Sequence, residues 1–323
     1  MKALTMLSLA TGLAVSAGSA QAATYVVQAK SLAFDSALVA QMEAAGGRVT
    51  ALYPAIGVAL VDADAGFEAR AEANAAIQSA TLDATLQFDI PMATEFVPQA
   101  DPPNSGNNDT FFDYQWGMAA IDAEQAWNLG YRGNGARVAV LDEGIWCNSI
   151  DLVPNLLPAL NASFVPGEPA CAFLPGFNHG THVAGIIAAA DNGFGTIGVA
   201  PLAKIFAVKV LSEVTGSGSF ASILQGIVYA TDNGADVINM SLGVPGGILM
   251  TADNTELMAA VQRAVTYARG KNTTVIASAG NDGLNYDNFN SGNGTPRKAF
   301  PAGVMGVLAI SSTAPNGWAL NFN

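Results

Sequence analysis

The two histidines of the chain lie in one short segment, Asn178-His179-Gly180-Thr181-His182, so any imidazole chemistry must take place there. The segment runs into the apolar stretch 183–190, which predicts a buried helix with both histidines near its start. The positive end of a helix dipole disfavours a protonated imidazole, so a histidine in this position tends to stay neutral and able to accept a proton. A general base requires that state.

Three apolar segments are followed by polar residues. Asp142 comes directly after Val138–Leu141, Ser241 after 236–240, and Asn281 a few residues after 274–277. Helical patterns separate these segments, and this alternation predicts a parallel sheet covered on both faces. Such sheets gather function at the carboxyl ends of their strands. An aspartate to orient an imidazole, an imidazole to deprotonate a hydroxyl and an amide to stabilise an oxyanion together suit acyl transfer.

The 323 residues have room for about two domains. Residues 24–88 show the order strand, helix, strand, strand, helix, strand, which predicts a small ferredoxin-like α+β domain without histidine or cysteine. Its clearest predicted strands are 25–29 and 56–61, and its predicted helices are 37–45 and 68–77. The stretch 98–108 is rich in Pro, Asn and Gly, as exposed linkers are. Beyond it the predicted strands are 138–141, 205–210, 236–240, 274–277 and 306–310, and the predicted helices are 179–190, 220–233 and 254–268.

The N-terminus and the composition bear on location and partners. Residues 1–22 combine a basic start, an apolar middle and a small-x-small end, which predicts a secretory signal peptide cleaved after Ala22. The alternative is a membrane anchor, but the apolar part is shorter than the ~20 residues of a span. A net charge of −13 with 13 Lys and Arg argues against a nucleic-acid partner. We expect a secreted, extracellular or periplasmic monomer with no membrane partner.

The two cysteines, Cys147 and Cys171, leave two interpretations open. In an oxidising compartment they can be joined, and closing a loop of this size stabilises a fold by roughly 3–4 kcal/mol. They can equally remain free and buried as small apolar side chains.

Four motifs, in this order, resemble those of the subtilisin-type serine proteases, the subtilases of peptidase family S8, over residues from about 108 to 323. The motifs are Val140-Leu141-Asp142-Glu143-Gly144-Ile145, His179-Gly180-Thr181-His182-Val183-Ala184-Gly185, Val237-Ile238-Asn239-Met240-Ser241-Leu242-Gly243 and Ala277-Ser278-Ala279-Gly280-Asn281. The resemblance implies a three-layer α/β domain and a protein or peptide substrate. It also implies that Asp142 orients the base, that His179 is the general base and that Asn281 is an oxyanion donor.

The same resemblance implies a substrate cleft and a domain plan. Ser241, Leu242 and Gly243 would pair their backbone with an extended substrate, Ala279 and Gly280 would line the first pocket, and His182 would be a structural neighbour of the base. Residues 23–97 resemble the inhibitory, folding-assisting propeptide (inhibitor I9 type) of this family. We therefore expect a signal peptide over 1–22, a propeptide and intramolecular inhibitor over 23–97, a linker over 98–108 and an incomplete peptidase domain over 109–323.

The nucleophile of the family lies in a Gly-Thr-Ser-Met-Ala type motif that opens a downstream helix, and no serine of this chain has that context. Ser241 and Ser278 match substrate-cleft positions instead. We expect the written chain to be a fragment of a protease that neither cleaves peptides nor folds stably, since one oxyanion donor and one covering helix would be missing. The alternative is a non-catalytic, peptide-binding pseudoprotease.

The loop 190–196 resembles the loop that supplies calcium ligands in many subtilases, and hard oxygen donors suit Ca²⁺. The resemblance implies a structural calcium ion held by Asp109, Asp151, Ala190, Asn192, Phe194 and Thr196. An ordinary Gly-rich connection is the alternative. A zinc site at His179 and His182 is a further alternative, but it lacks a third ligand with clear spacing.

Glu143 departs from the family, which usually has Ser or Thr at this position. An ionised glutamate cannot donate a hydrogen bond to Asp142, and a like charge nearby raises a carboxyl pKa. The side chain can also simply be solvated, so the sequence leaves its effect on activity open.

Overall fold

The computed structural model describes residues 22–88, 107–286 and 294–313. The signal peptide predicted over 1–22 lies outside these residues except for Ala22, as does most of the linker predicted over 98–108. Within the described part, no helix is long and apolar enough to cross a bilayer.

The N-terminal unit is a four-stranded antiparallel sheet with two helices on one face. The elements are β1 (Ala23–Ala29), α1 (Ser36–Ala44), β2 (Arg48–Tyr53), β3 (Val58–Ala63), α2 (Phe67–Glu72) and β4 (Ile77–Leu82), with a short 3-10 helix at Pro54–Ile56. The strand order β2-β3-β1-β4 confirms the ferredoxin-like prediction. Along β1, Tyr25 and Val27 pack under the unit's own helices, whereas Val26 belongs to the core of the second unit. The alternating strand therefore has two buried faces.

The predicted bounds of one strand and one helix of this unit were wrong. The strand expected over 56–61 begins at Val58, because Pro54–Ile56 forms a 3-10 turn that ends at Gly57 with a left-handed φ of 63°. The helix expected over 68–77 ends at Glu72. After it the Asn74 side chain accepts the Ala76 N–H, a local turn that competes with the helix.

The N-terminal segment ends, within the described residues, in a short strand β5 (Thr85–Gln87). The described elements of the second unit are α3 (Trp116–Ala120), α4 (Ala123–Asn128), β6 (Arg137–Asp142), β7 (Ala162–Ser163), α5 (His179–Ala188), β8 (Lys204–Lys209), β9 (Ser217–Ser219), α6 (Phe220–Asp232), β10 (Val237–Met240), β11 (Ile248–Leu249), α7 (Ala252–Gly270), β12 (Thr274–Ser278), β13 (Arg297–Lys298) and β14 (Leu308–Ile310), with 3-10 turns at Phe112–Tyr114 and Pro158–Leu160. This unit is built on a six-stranded parallel sheet in the order β14-β12-β10-β6-β8-β7.

Helices cover both faces of this sheet, so the predicted three-layer α/β architecture is confirmed. Val138 and Val140 of β6 pack in one core with Val183 and Ala184 of α5. The alternate residues of the same strand, Ala139 and Leu141, pack in the core that α6 and α7 share. Because β6 is buried on both sides, its sequence is continuously apolar until it reaches Asp142.

The N-terminal unit contacts α6, α7 and β9 of the second unit. The guanidinium of Arg263 on α7 donates to the carbonyl oxygens of Ile56, Gly57 and Ala29 and to Oε1 of Gln78, at 2.7–3.2 Å. A separate contact is made by β5, which pairs antiparallel with β9 from Thr85↔Ser219 to Gln87↔Ser217. The two units are thus joined by side chains at one end and by a shared strand pair at the other.

Candidate active site

Asp142 and His179 meet because β6 ends where α5 begins. Asp142 is the last residue of β6 and is fully buried, and His179 is the first residue of α5 and is 8% exposed. Nδ1 of His179 lies 3.0 Å from both carboxylate oxygens of Asp142. Gly180 permits this approach, since a Cβ added there would lie 2.1 Å from the carbonyl oxygen of Gly144.

The first turn of α5 is held by side chains on both sides. Asn178 is the N-cap, and its Oδ1 accepts the N–H of Thr181 at 2.8 Å. Oγ1 of Thr181 in turn accepts the N–H of Trp146, in the loop after β6, at 2.7 Å. The start of the helix and the end of the strand are therefore tied to each other as well as to the imidazole.

Glu143 is part of this arrangement, so the hypothesis of a solvated side chain was wrong. It is 6% exposed, and its Oε1 accepts the backbone N–H of His179 at 2.7 Å and Nδ2 of Asn178 at 3.0 Å. Burial raises the pKa of Glu143, the hydrogen bond from His179 opposes that rise, and the charge of Asp142 adds to it. A buried carboxylate thus stands where the family usually has a hydroxyl.

His182, one turn further along α5, lies beside His179. Its ring contacts that of Phe177, with the centroids 5.7 Å apart. Burial lowers the pKa of His182, and the charge of His179 lowers it further. Among the described residues no cluster of three or more His, Cys, Asp or Glu side chains is arranged to hold a metal ion, so the zinc alternative finds no third ligand.

One cavity of about 530 Å³ brings together most of the predicted cleft residues. Its lining includes His179, His182, Ser241, Gly243, Ser278, Gly280 and Asn281. Leu242 is different, because its side chain is 2% exposed in the core and its carbonyl oxygen accepts Oγ of Ser278 at 3.1 Å. Ala279 is anchored by its N–H to the carbonyl of Ile310 at 2.8 Å. The carboxyl ends of β6, β10 and β12 thus share one edge, as the pattern predicted.

Sequence reasoning missed a strand beside this site. The N–H groups of Val210 and Leu211 donate to the carbonyl oxygen of Asp142, and Leu211 also bridges to Gly218 of β9. The edge of β9 is paired with β5 of the N-terminal segment. β5 and β9 have three residues each, and the Ser-Gly-Ser sequence of β9 has no alternation of apolar and polar residues. Such a sequence is as typical of a loop as of a strand, so neither strand could be predicted.

A model of the subtilase family matches residues 133–323. The chain belongs to the subtilase family. The matched segment contains Asp142, His179 and Asn281, as well as the whole cavity that His179 and Asn281 line.

Characterised relatives support the same assignment. This subtilase is 40% identical over 208 residues to a protein named thermostable alkaline protease of Halalkalibacterium halodurans, a match that covers 64% of this chain and 50% of the relative. It is 39% identical over 208 residues to subtilisin Savinase of Lederbergia lenta, covering 64% of this chain and 66% of the relative. The chain thus spans between half and two thirds of the length of these relatives.

Solved structures show the same fold at low sequence identity. The epidermin leader peptide processing serine protease of Staphylococcus aureus superposes with a TM-score of 0.69 at 23% identity, over 91% of this chain and 70% of that one. Fervidolysin of Fervidobacterium pennivorans, described as a keratinolytic enzyme related to subtilisin, superposes with a TM-score of 0.63 at 23% identity, over 91% of this chain and 43% of that one.

The loop 190–196 of the subtilase has oxygen donors of the kind that calcium takes. Oδ1 of Asp109 accepts the N–H groups of Asn192 and Gly193, whereas its Oδ2 is buried without a hydrogen-bond partner. Asp151 faces the same loop, accepting Nδ2 of Asn192 at 3.3 Å and the N–H of Thr196 at 3.0 Å. Burial raises the pKa of Asp151, as does the charge of Asp109 to a smaller extent. An unpartnered buried carboxylate oxygen beside a second carboxylate fits a hard cation.

The two cysteines are joined. Cys147, in the loop after β6, and Cys171 form a disulfide with their Cα atoms 5.5 Å apart. The alternative in which they stay free and buried is therefore wrong. The residue pair Ile145 and Cys171 also forms a parallel bridge, so the loop that follows Glu143 is fixed both covalently and by its backbone.

Proposed function

We propose that this subtilase is a secreted serine endopeptidase that hydrolyses peptide bonds through an acyl-enzyme. In this proposal Asp142 orients the base, His179 is the general base and Asn281 is the oxyanion donor. The observation that carries it is the contact of His179 Nδ1 with both carboxylate oxygens of Asp142 at 3.0 Å, beside a cavity that Asn281 also lines. The apolar start predicted as a signal peptide supports secretion.

The proposed mechanism follows from the donors and acceptors. A carboxylate accepts hydrogen bonds, so Asp142 fixes the tautomer of His179 with the proton on Nδ1 and the lone pair on Nε2. Nε2 takes the proton of a serine hydroxyl while the serine oxygen attacks the carbonyl carbon of the scissile bond. The carboxamide of Asn281 donates to the resulting oxyanion, and the imidazolium then protonates the leaving amine. Water repeats the same steps to release the acid.

The attacking serine is proposed to come from a Gly-Thr-Ser-Met-Ala type motif encoded beyond Asn323. The match covers only 50% and 66% of the two relatives, which leaves room for such a motif outside the matched segment. Reading the gene downstream of codon 323 tests it directly. A reading frame that continues into such a motif supports the endopeptidase, whereas a stop codon at that point favours a peptide-binding pseudoprotease.

Activity measurements test the roles of the named residues. The whole gene product is expected to cleave peptide amides and to react covalently with a fluorophosphonate, which phosphonylates an activated serine with loss of fluoride. His179→Ala is expected to lower kcat/KM by about 10⁴-fold or more, the order typical of removing a general base from a triad. Lys271→Ala, at the far end of α7, serves as the matched control. Equal activity in His179→Ala and the control would refute the assignment.

The N-terminal unit is proposed to be a propeptide that inhibits the enzyme within its own chain. The pairing of β5 with β9 supports this, because β9 bridges to Leu211, whose N–H donates to the carbonyl oxygen of Asp142, and β5 therefore lies as an added extended strand near the site. Hydrolysis of a peptide substrate is then expected to begin after a lag and to accelerate as a fragment that includes residues 23–97 is released. A constant rate from the first minute, with the N-terminal fragment still attached, would contradict inhibition.

We also propose a structural calcium ion held by the side chains of Asp109, Asp151 and Asn192 and by the carbonyl oxygens of Ala190, Phe194 and Thr196. In the structure Oδ1 of Asn192 accepts the N–H of Phe194 and its Nδ2 faces Asp151, so its amide must turn to present the oxygen. The bound ion would join the start of the domain to the end of α5. Calcium is expected to raise the Tm of the wild type and to have a much smaller effect on Asp109→Asn. An equal rise in both would refute the site.

A further inference from the structure

Glu143 occupies a position that the proposed mechanism does not use, although it touches the proposed base. Its Oε1 lies 2.7 Å from the backbone nitrogen of His179, closer than Asp142 lies to the ring. We propose that Glu143 is a positioning residue that fixes the first turn of α5 and holds a second negative charge beside the His179 imidazole, so that His179 accepts a proton more readily. This inference rests on the proposed function, in which His179 is the general base.

The geometry shows how Glu143 acts on position. One carboxylate oxygen accepts two N–H groups at once, from the N-cap residue Asn178 and from His179. Asn178 is thereby held with its Oδ1 on the N–H of Thr181. The carboxylate therefore links the end of β6 to the cap of the helix that carries the base. A serine side chain at position 143 is two bonds shorter and could not reach both donors from the same backbone.

The charge of Glu143 acts in surroundings that screen it poorly, since the residue is 6% exposed. The other titratable or charged groups around His179 and Glu143 are Asp142 on β6, His182 on α5, Lys209 at the end of β8, Glu213 and Glu168 near it, and Asp282 across the cavity. Lys209 is held between Glu168 and Glu213, at 2.9 and 3.2 Å, so its positive charge is more than compensated. Glu143 therefore adds to a field that is already negative and favours the imidazolium form of His179.

The same placement costs stability. Burial raises the pKa of Glu143, and the neighbouring charge of Asp142 contributes to the rise. For a carboxyl whose pKa is raised in the folded state, the ionised form destabilises the fold above that pKa, and the cost disappears as the pH falls through it. Glu143→Gln keeps an acceptor oxygen and removes the charge, so it is expected to be more stable than the wild type near pH 7. A residue whose neutral isostere is more stable suits a role in function better than a role in stability.

The test is a histidine NMR titration of the whole gene product, in which the His179 resonance is the one that disappears in His179→Gln. Glu143→Gln is expected to lower the midpoint of His179 by about 0.5–1 pH unit, the scale of one nearby charge in a partly buried site. Glu143→Asp keeps the charge and is expected to shift the midpoint less. The acid limb of the kcat/KM profile is expected to move to lower pH in Glu143→Gln by the same amount.

An unchanged His179 midpoint in a folded Glu143→Gln variant would overturn the proposal, as would a Glu143→Asp midpoint displaced as far as that of Glu143→Ser. If Glu143→Gln does not fold, the comparison of Asp with Ser at position 143 decides the question. The titration does not depend on turnover. A shifted midpoint in a protein without peptidase activity would therefore refute the proposed function while leaving the coupling between Glu143 and His179 in place.

Discussion

The starts of α5 and α6 show two uses of the same physical device, a carboxylate from a distant segment at a helix N-terminus. At α5 the carboxylate is that of Glu143, which directly follows β6 of the same domain and accepts the N–H of His179. At α6 it is Asp83 of the N-terminal segment, whose Oδ1 accepts the N–H of Ala221 at 3.1 Å. Both contacts satisfy a backbone donor that the helix itself cannot. The first is internal to the subtilase domain, and the second joins that domain to the unit that we propose to be removable.

The two helices differ in how their N-termini would be capped if the carboxylate were absent. The start of α6 has its own capping box, in which Ser219 and Ser222 bond to each other's backbone. It therefore remains capped if Asp83 departs. The start of α5 also has a cap of its own, Asn178, but that cap residue is itself held by the Glu143 carboxylate. We expect changes at the start of α5 to alter the stability of the domain and the position of His179, and changes at the start of α6 to alter the contact between the two units.

The largest expected effect comes from the disulfide behind the α5 start. Replacing Cys147 and Cys171 by alanine opens the loop between two residues that are 24 positions apart, and is expected to lower the free energy of unfolding by about 3 kcal/mol in the chain-entropy treatment. Denaturant unfolding measures this change, and reduction of the wild type should reproduce it. If the alanine variant lowered the unfolding free energy of the N-terminal unit alone and left that of the subtilase domain unchanged, the comparison would be contradicted.

The next effect is expected at the carboxylate itself. Glu143→Ala leaves the N–H of His179 and Nδ2 of Asn178 without their acceptor in a buried site, which is expected to cost about 2 kcal/mol of unfolding free energy. Glu143→Gln is the control, since it keeps an acceptor oxygen. Equal stability of the two variants would show that the hydrogen bonds contribute little and that α5 is fixed by packing instead.

A smaller effect is expected at the contact between the units. Arg263→Ala removes the four hydrogen bonds that α7 donates to the N-terminal unit, and we expect the free energy of local opening to fall there by about 1.5 kcal/mol. Amide hydrogen exchange of β1 and β3 measures it, with Lys271→Ala on the same helix as the control. Faster exchange in α5 would mean that the two units do not open separately.

The smallest effect is expected at Asp83, and it depends on pH. Burial raises the pKa of Asp83, although hydrogen bonds from Ser219 and from backbone N–H groups oppose the rise. The docked state therefore binds the proton more tightly, so docking weakens as the pH rises from the ordinary carboxyl range through the raised pKa. Asp83→Asn is expected to flatten this dependence, and Asp83→Ala is expected to cost about 1 kcal/mol at the acid end of this range and less at its alkaline end. Hydrogen exchange of the N-terminal unit, measured over a range of pH, gives the docking free energy of each variant. If Asp83→Asn showed the same pH dependence as the wild type, that dependence would belong to other titratable groups.

Much of the fold could be predicted from local pattern, and the errors lie where local pattern ends. The continuous apolar run of β6 and the helix after His179 are encoded by neighbouring residues, and both were predicted within a few residues of their ends. The pair of β5 and β9 was missed because three-residue strands carry no periodicity. The helix after residue 67 was predicted too long because a single Asn-based turn ends it.

The site divides in the same way. The motifs selected Asp142, His179 and Asn281 as candidates, and their position at one sheet edge followed from the rule for parallel strands. The role of Glu143 did not follow, because a charged side chain after a strand is as compatible with solvent as with burial. Its environment depends on where residue 178 lies in space, 35 positions further along the chain.

By itself, the sequence determined the order and type of the main elements, the family and the candidate chemical groups, because these depend on residue types and short spacings. The tertiary structure alone decided that the imidazole of His179 meets both oxygens of Asp142, that Cys147 and Cys171 are joined, and that Glu143 is buried against the helix start. The physical reason is that hydrogen bonding, burial and charge coupling act over a few ångströms in space. Residues that share those few ångströms here are separated by tens of positions in the chain.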